Sequence, residues 1–310
     1  MTPQTNYDSP WKEILERFFP ECMTFFFPTA QAAIDWSQGY TFMDKELQQV
    51  VRDAETGSRR VDKLVKVTLR ESGEEAWVLI HIEVQGDQEA AFARRMYIYN
   101  YRLFDKYDRR VASFALLSDD NPTWRPDQFG YELLGCRVQL DFPTVKLLDY
   151  ESRWAELEAS DNPFAVVVMA QLETRRTRQE AQARYEAKLR LAKRLYQRGY
   201  SRRDILELFR FIDWIMTLPP ELEEQFMIDI VAYEERERKP YVTSVERIAS
   251  LQARREMLLE ALETRFGVLP EELMTLLDQI NDPQVLKELQ RPAVLSDSLE
   301  TFEQAVLAHL

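Results

Sequence analysis

The sequence contains only two cysteines, Cys22 and Cys136, and only two histidines, His81 and His309. A zinc site built from closely spaced Cys and His ligands is therefore excluded, and a disulfide is not expected. No apolar run approaches the roughly 18 consecutive residues that a membrane-spanning helix requires. The first residues also lack the basic and then apolar order of a signal peptide. These absences predict a soluble, cytoplasmic protein.

Acidic residues, by contrast, are abundant. The chain has 53 Asp and Glu against 40 Lys and Arg, a formal net charge of -13. Any bound metal is expected to be a hard cation held by oxygen ligands, namely Mg²⁺ or Mn²⁺. The net charge argues against nonspecific adhesion to DNA.

One segment departs from this acidic balance. Between Thr174 and Arg203 there are eleven Lys and Arg against two Glu. This basic segment has two interpretations, a surface that binds DNA phosphates or an amphipathic helix packed on the domain or on another subunit. Gly199-Tyr200-Ser201 is typical of a turn that ends one helix and caps the next, with Arg202 and Arg203 at its head.

The arrangement of periodic segments predicts an α/β (α+β) fold followed by a helical extension. A helix is expected to start at Asp8-Ser9-Pro10-Trp11, and another covers Gln88 to Tyr107 with a stripe of Phe92, Met96, Tyr99 and Leu103. The polar turn 70–75 predicts that the strands flanking it pair as an antiparallel hairpin. The predicted strands are Val61 to Leu69, Trp77 to Val84, Val111 to Leu117, and one before or after Pro143 within Cys136 to Leu148.

The predicted domains have boundaries near Tyr150 and at the Lys239-Pro240 break. Residues 1–155 form the α/β domain, 156–240 a helical extension with the basic segment, and 241–310 a small helical module of three short helices. No internal repeat interrupts this order.

Alternation along the strands predicts which side chains share a face. The apolar residues Val78, Ile80, Ile82 and Val84 should face the core, so Glu83, Gln85 and His81 point to the other side. In the preceding strand, Asp62 and Lys66 share the face opposite the apolar set, in which Lys63 is the exception.

If the two strands are neighbours, Asp62, Glu83 and Gln85 converge on one spot. Two carboxylates about 4 Å apart repel by roughly 4 kcal/mol at an effective dielectric of about 20, so they need a cation or a shared proton. Mg²⁺ uses one or two protein carboxylates and fills its remaining positions with water and phosphate oxygens. An exposed Asp and a Glu-X-Gln are also common as plain surface residues.

The order of elements resembles the PD-(D/E)XK nuclease core. The segments Val61-Asp62-Lys63-Leu64-Val65, Trp77 to Gly86 and Ala93 to Tyr99 are similar to those of the recombination-promoting nuclease and putative transposase family, also called YhgA-like. The stretch from Leu258 to Phe302 is similar to a helical domain often appended to such proteins. Together these segments cover most of the chain.

This resemblance implies a restriction-endonuclease-like fold and a Mg²⁺-dependent DNA endonuclease, with Asp62 and Glu83 as metal ligands. Gln85 stands where the broader superfamily usually carries Lys, and glutamine can orient water but adds no positive charge. Lys66 is the first candidate for the missing cation and Arg95 the second.

Three further residues, Glu13, Glu16 and His81, are candidates for the same site. The resemblance implies an acidic residue from the first helix, for which Glu13 and Glu16 are the candidates and a solvated glutamate is the plain alternative. His81 shares the Glu83 face and is either a general base or a structural residue.

Two other functions compete with DNA cleavage. One is an inactive nuclease-fold protein that acts as an interaction module, with a homo-oligomer formed through the helical half. The other is an RNA-directed nuclease that uses the same carboxylates.

Overall fold

The computed structural model describes residues 8–52, 61–83, 91–239, 241–267, 269–270, 273–274, 276–277, 280, 283–296 and 298–307. The chain is a mixed α/β protein that divides into two compact units, residues 1–229 and 230–310. No helix in the described ranges is both long and apolar enough to cross a membrane.

In the described residues, the first unit contains all seven strands and nine complete α-helices. Helix α10 (Pro220–Glu237) includes the division between the units. The helices are α1 (Asp8–Arg17), α2 (Phe19–Phe26), α3 (Pro28–Ala33), α4 (Asp44–Arg52), α5 (Phe92–Tyr107), α6 (Trp154–Ala159), α7 (Pro163–Arg176), α8 (Ala181–Gln197) and α9 (Arg202–Ile215). The strands are β1 (Thr41–Phe42), β2 (Val61–Thr68), β3 (Glu75–Glu83), β4 (Val111–Leu117), β5 (Gln128–Leu133), β6 (Cys136–Asp141) and β7 (Thr144–Lys146).

Five strands form one mixed sheet in the order β1-β2-β3-β4-β7, and β5 with β6 forms a separate hairpin. Strands β1, β2 and β3 are antiparallel, whereas β3, β4 and β7 are parallel. The predicted β2–β3 hairpin and the predicted strand Val111–Leu117 are confirmed. The segment around Pro143 contains a strand on each side of the proline rather than one.

One face of the sheet is covered by the N-terminal helices. Val65, Val78 and Ile80 are buried on this face. Phe27, between α2 and α3, packs against Phe114 of β4 with ring centroids 4.7 Å apart. Lys63 shares this face, where its ammonium pairs with Glu16 of α1 and lies 2.9 Å from Oδ2 of Asp44. This pairing explains why a charged residue interrupts the apolar set of β2.

The second face, on which Asp62 and Glu83 lie, is also covered along much of its length. Leu64, Trp77 and Leu79 are buried there against α4 and α5. Val78 and Ile80 therefore face a core as predicted, and the face that carries Glu83 covers a second core. Helices lie on both faces of the sheet, and the alternation seen in β3 separates two cores rather than a core from solvent.

Helices α6 to α9 pack onto the α/β part of the first unit. Trp11 of α1 contacts Phe211 of α9 with ring centroids 5.2 Å apart, and Arg17 of α1 pairs with Asp204 of α9 at 2.6 Å. Phe26 packs edge-on against Phe164 of α7 at 5.4 Å. The change in sequence pattern near Tyr150 therefore marks a change of secondary structure within one compact unit.

The second unit has a helical core of its own. It contains α11 (Val242–Phe266), α12 (Pro283–Leu295) and α13 (Leu299–Leu307). The 25-residue α11 replaces the first of the three short helices expected here. The buried core includes Leu258, Leu262, Leu286, Leu289, Phe302 and Val306.

Candidate functional site

The register of β2 and β3 relates the two predicted metal ligands directly. Asp62 lies opposite His81, and Glu83 follows His81 by two positions on the same strand. Asp62 and Glu83 therefore occupy diagonal positions on one face of the sheet. Such diagonal pairs have Cα atoms about 7–8 Å apart, and long side chains can meet across them.

Glu83 is also the last residue of β3. This strand pairs antiparallel with β2 on one side and parallel with β4 on the other. The neighbour of Glu83 on β4 is Leu117, whose own neighbour on β7 is Lys146. The three residues form one cross-strand row, so the carboxyl ends of the three parallel strands meet beside Glu83. Sheets with parallel strands commonly bind ligands at this edge.

Arg95 lies on the sheet-facing side of α5. It is 3% exposed and belongs to the buried stripe of this helix with Phe92, Met96, Tyr99 and Leu103. Its guanidinium lies 5.2 Å from the centroid of the Phe92 ring. Phe92 shares a buried cluster with Leu117, the β4 neighbour of Glu83. The first turn of α5, including Arg95, therefore lies at the Glu83 end of the sheet.

Lys66 occupies the predicted face but the wrong end of the strand. It lies opposite Trp77, and Trp77 precedes Glu83 by six positions on β3. At roughly 3.3 Å per residue, this separation along the strand is about 20 Å. The ammonium of Lys66 is 3.6 Å from Oε2 of Glu75. Lys66 therefore cannot supply the cation beside Glu83, and this part of the prediction is corrected.

The pKa of Glu75 reflects its neighbours at that far end. Burial raises the pKa, but the hydrogen bond from Trp77, the charge of Lys66 and the hydrogen bond from Arg109 together hold it below its ordinary value. Lys66 thus belongs to an ion-pair group at the turn end of the hairpin.

The acidic residue expected from α1 is likewise directed elsewhere. Glu16 contacts Lys63, which lies on the face of β2 opposite the one that Asp62 occupies. The sheet therefore separates Glu16 from the candidate metal ligands. Glu13, the other candidate, is an exposed residue of the same helix.

Two residues near the Glu83 end were missed from the sequence. Lys146 and Asp119 form a buried ion pair with 2.5 Å between Nζ and Oδ2. Nζ of Lys146 also donates to the carbonyl oxygen of Trp124 at 3.3 Å. Asp119 follows β4 by two residues, and an acidic residue directly after a buried parallel strand is the signal that points to this edge.

Side chains are described for only part of the site. Those of Asp62, His81 and Glu83 are not described, and Gln85 lies outside the described residues together with the whole of 84–90. Among the side chains that are described, no group of three or more His, Cys, Asp or Glu is arranged to hold a metal ion. Gln85 and the metal ligands therefore stay predictions.

The basic segment is largely paired within the chain. Lys188 is fully buried and bonds to Asp213 at 2.7 Å and Glu223 at 3.0 Å. Arg198 pairs with Asp161 at 2.9 Å. Four further arginines pair with acidic residues of the first unit, namely Arg175, Arg176, Arg178 and Arg190.

This pairing bears on the two interpretations of the segment. It favours structural packing over a free positive surface for DNA phosphates, because these charges already have carboxylate partners. The predicted turn at its end is confirmed, since Gly199 has φ 73 and Ser201 caps α9 by accepting from the amide of Asp204.

Both cysteines are free thiols. Cys22 is buried, and that burial raises its pKa well above the ordinary value, whereas Cys136 is exposed on β6. Neither belongs to the Glu83 end of the sheet.

A comparison of the chain with protein-family models, with curated proteins and with solved structures finds no match.

Proposed function

We propose that this protein is a Mg²⁺-dependent DNA endonuclease of the YhgA-like family, built on a PD-(D/E)XK core. The observation that carries the proposal is the register of β2 and β3, in which Asp62 lies opposite His81 and diagonal to Glu83. Two acidic residues on one sheet face, at the edge where parallel strands end, have the arrangement that a site for a hard cation needs.

The chemistry of these residues fits Mg²⁺ or Mn²⁺. Asp62 and Glu83 supply hard oxygen donors, and Mg²⁺ accepts one or two carboxylates while keeping other positions for water and phosphate. When bound, the ion would polarise a phosphodiester and lower the pKa of a bound water. Asp62 and Glu83 would hold it, and Gln85 would orient a water molecule through its side-chain amide.

Arg95 is the cation that this proposal retains. It lies on the buried stripe of α5, and the first turn of that helix reaches the Glu83 end of the sheet. A guanidinium there can stabilise negative charge on a phosphate that is being cleaved, which is the service that a lysine at position 85 would otherwise provide.

The resemblance to recombination-promoting nucleases supports DNA as the substrate and recombination or transposition as the setting. Supercoiled plasmid incubated with the purified full chain tests this directly. We expect Mg²⁺-dependent nicking or linearisation that EDTA abolishes and that Asp62→Asn and Glu83→Gln each reduce by at least about 10²-fold.

Glu75→Gln is the control for this assay. Glu75 is on the same strand and the same face as Glu83 but at its opposite end, so its loss should leave cleavage unchanged. Cleavage that persists in Glu83→Gln would remove this site from the explanation. Faster cleavage of an RNA of the same sequence would show that the substrate is RNA rather than DNA.

The competing function is a protein that keeps the fold and acts only by binding other proteins. The internal pairing of the basic segment favours it, because that segment then offers little charge to DNA. Calorimetry with Mn²⁺ separates the two. Saturable binding that Glu83→Gln abolishes supports the nuclease, whereas no heat from the wild-type chain supports the binding protein.

A further inference from the structure

The hairpin of β5 and β6 stands apart from the five-stranded sheet. Its inner face is apolar and rests on the first unit, with Phe129 stacked on Tyr97 of α5 at 5.0 Å and Leu140 packed against the cluster around Phe92. Its outer face carries Glu132, Arg137, Gln139 and Asp141, all exposed. The hairpin is therefore anchored by one face only.

The outer edge of β6 has no strand beside it in the described part of the chain. The hairpin closes with Leu133 opposite Cys136 across a two-residue turn, in which Leu134 and Gly135 have φ 53 and 82. In such a turn the closing pair exchanges hydrogen bonds, so alternate residues of β6 direct their amides to β5. The amides and carbonyls of Arg137, Gln139 and Asp141 therefore point away from β5.

Two copies of β6 that run antiparallel, with Gln139 opposite Gln139, place complementary side chains opposite each other. An antiparallel copy centred there places Arg137 opposite Asp141 twice, and Val138 opposite Leu140 twice. The paired residues Arg137, Gln139 and Asp141 are the ones whose backbone groups point outward. Two-fold pairings centred on Val138 or Leu140 instead place a charge opposite Gln139 and leave both kinds of charge unmatched.

We propose that the outer edge of β6 binds β6 of a second copy of this chain, which forms a two-fold dimer with a four-stranded antiparallel sheet β5-β6-β6-β5. An interface between identical edges must be complementary to itself, and the Arg137–Asp141 arrangement meets that condition. Each Arg137 already pairs with Glu132 of its own chain at 2.9 Å. In the dimer, it would lie between that Glu132 and the Asp141 of the second copy. This dimer does not depend on the proposed nuclease activity.

Strand β5 does not offer the same match. Glu132 is its one charged residue, so a two-fold pairing of β5 with itself contains no opposite charges. Because pairing of one short strand buries less than a standard interface of about 1,600 Å², the dimer should dissociate on dilution.

Sedimentation of the full chain over a concentration series measures the dissociation constant of the dimer. Variants that reverse the charges of β6 then test the proposal. We expect a monomer–dimer equilibrium whose dissociation constant rises about tenfold or more in Arg137→Asp and in Asp141→Arg, because each variant places like charges opposite each other. The triple variant Glu132→Arg/Arg137→Asp/Asp141→Arg restores opposite charges both across the interface and within the hairpin, and should return most of the affinity. Arg110→Asp, which changes an exposed arginine paired with Glu74 elsewhere, should have no effect.

A second variant addresses the backbone pairing itself. Gln139→Pro removes an amide that points away from β5, so the hairpin should fold while the dimer is lost. A chain that is monomeric at every concentration, or a dimer that all of these variants leave intact, would overturn the proposal. Failure of the triple variant to recover affinity would overturn the register centred on Gln139.

Discussion

Nζ of Lys146 lies 2.5 Å from Oδ2 of Asp119 in the interior of the protein, where β4 and β7 end. The side chain of Lys146 is 0% exposed and that of Asp119 is 6% exposed. A charge this deeply buried is tolerated only with its partner, because desolvation costs several kcal/mol per ion.

Removing one member of this pair should therefore cost more than replacing both. We expect Lys146→Met to lower the free energy of unfolding by about 3–5 kcal/mol, and the double variant Asp119→Asn/Lys146→Met to lower it by clearly less. Denaturant unfolding followed by circular dichroism measures both values. A double variant as unstable as the single one would show that the pair itself is the stabilising element.

Lys63 and Lys66 provide a second comparison within one strand. Lys63 is buried and binds Asp44 and Glu16, whereas the side chain of Lys66 is 40% exposed and has one long contact with Glu75. We expect Lys63→Met to destabilise the protein by about 2 kcal/mol and Lys66→Met by less than about 1 kcal/mol. Thermal unfolding is the measurement. Equal losses would contradict the contrast in burial.

On α5, Arg94 is exposed and the adjacent Arg95 is buried. If Arg95 stabilises charge during DNA cleavage, Arg95→Met should lower kcat by about 10²-fold while Mn²⁺ affinity is retained. Arg94→Met should cleave plasmid at the wild-type rate. Parallel unfolding curves show whether Arg95→Met is folded. A folded variant with full activity would restrict Arg95 to packing against Phe92.

The hydroxyl of Tyr185 donates a hydrogen bond to the carboxylate of Asp229. This bond, together with burial, raises the pKa of Tyr185 from 10.0 to about 12. A raised pKa in the folded state means that the stabilisation is complete below pH 10 and is lost as the pH rises toward 12.

Tyr185→Phe removes both the bond and the titration. We expect the variant to be about 1.5–3 kcal/mol less stable than the wild type at pH 8. This difference should shrink between pH 10 and 12, as measured by urea midpoints. A difference that stays constant to pH 12 would show that Tyr185 does not titrate with a raised pKa.

Local features of the fold were predictable from particular residues. The polar turn 70–75 predicted the β2–β3 hairpin, Gly199 and Ser201 predicted the turn between α8 and α9, and Phe92, Met96, Tyr99 and Leu103 predicted the buried stripe of α5. These features depend on residues close together in the chain, because turn geometry and helical or strand periodicity are local properties of the backbone.

Contacts between distant segments were not predictable in the same way. The sequence predicts a short helix where the 25-residue α11 forms. The internal partners of the basic segment lie far from it in sequence or on other helices, namely Asp120, Glu151, Asp213 and Glu223. Charge counted along a sequence cannot show which carboxylates fold back onto it.

By itself, the sequence determined that Asp62 and Glu83 stand on strands whose alternation directs them to one side, because alternation is inherent in extended backbone. Only the tertiary structure decided that these positions are diagonal neighbours, that helices cover both faces, and that Lys66 lies about 20 Å from Glu83 while Lys146 shares its row. Those relationships follow from register and packing, which depend on how whole strands and helices meet and not on any one segment.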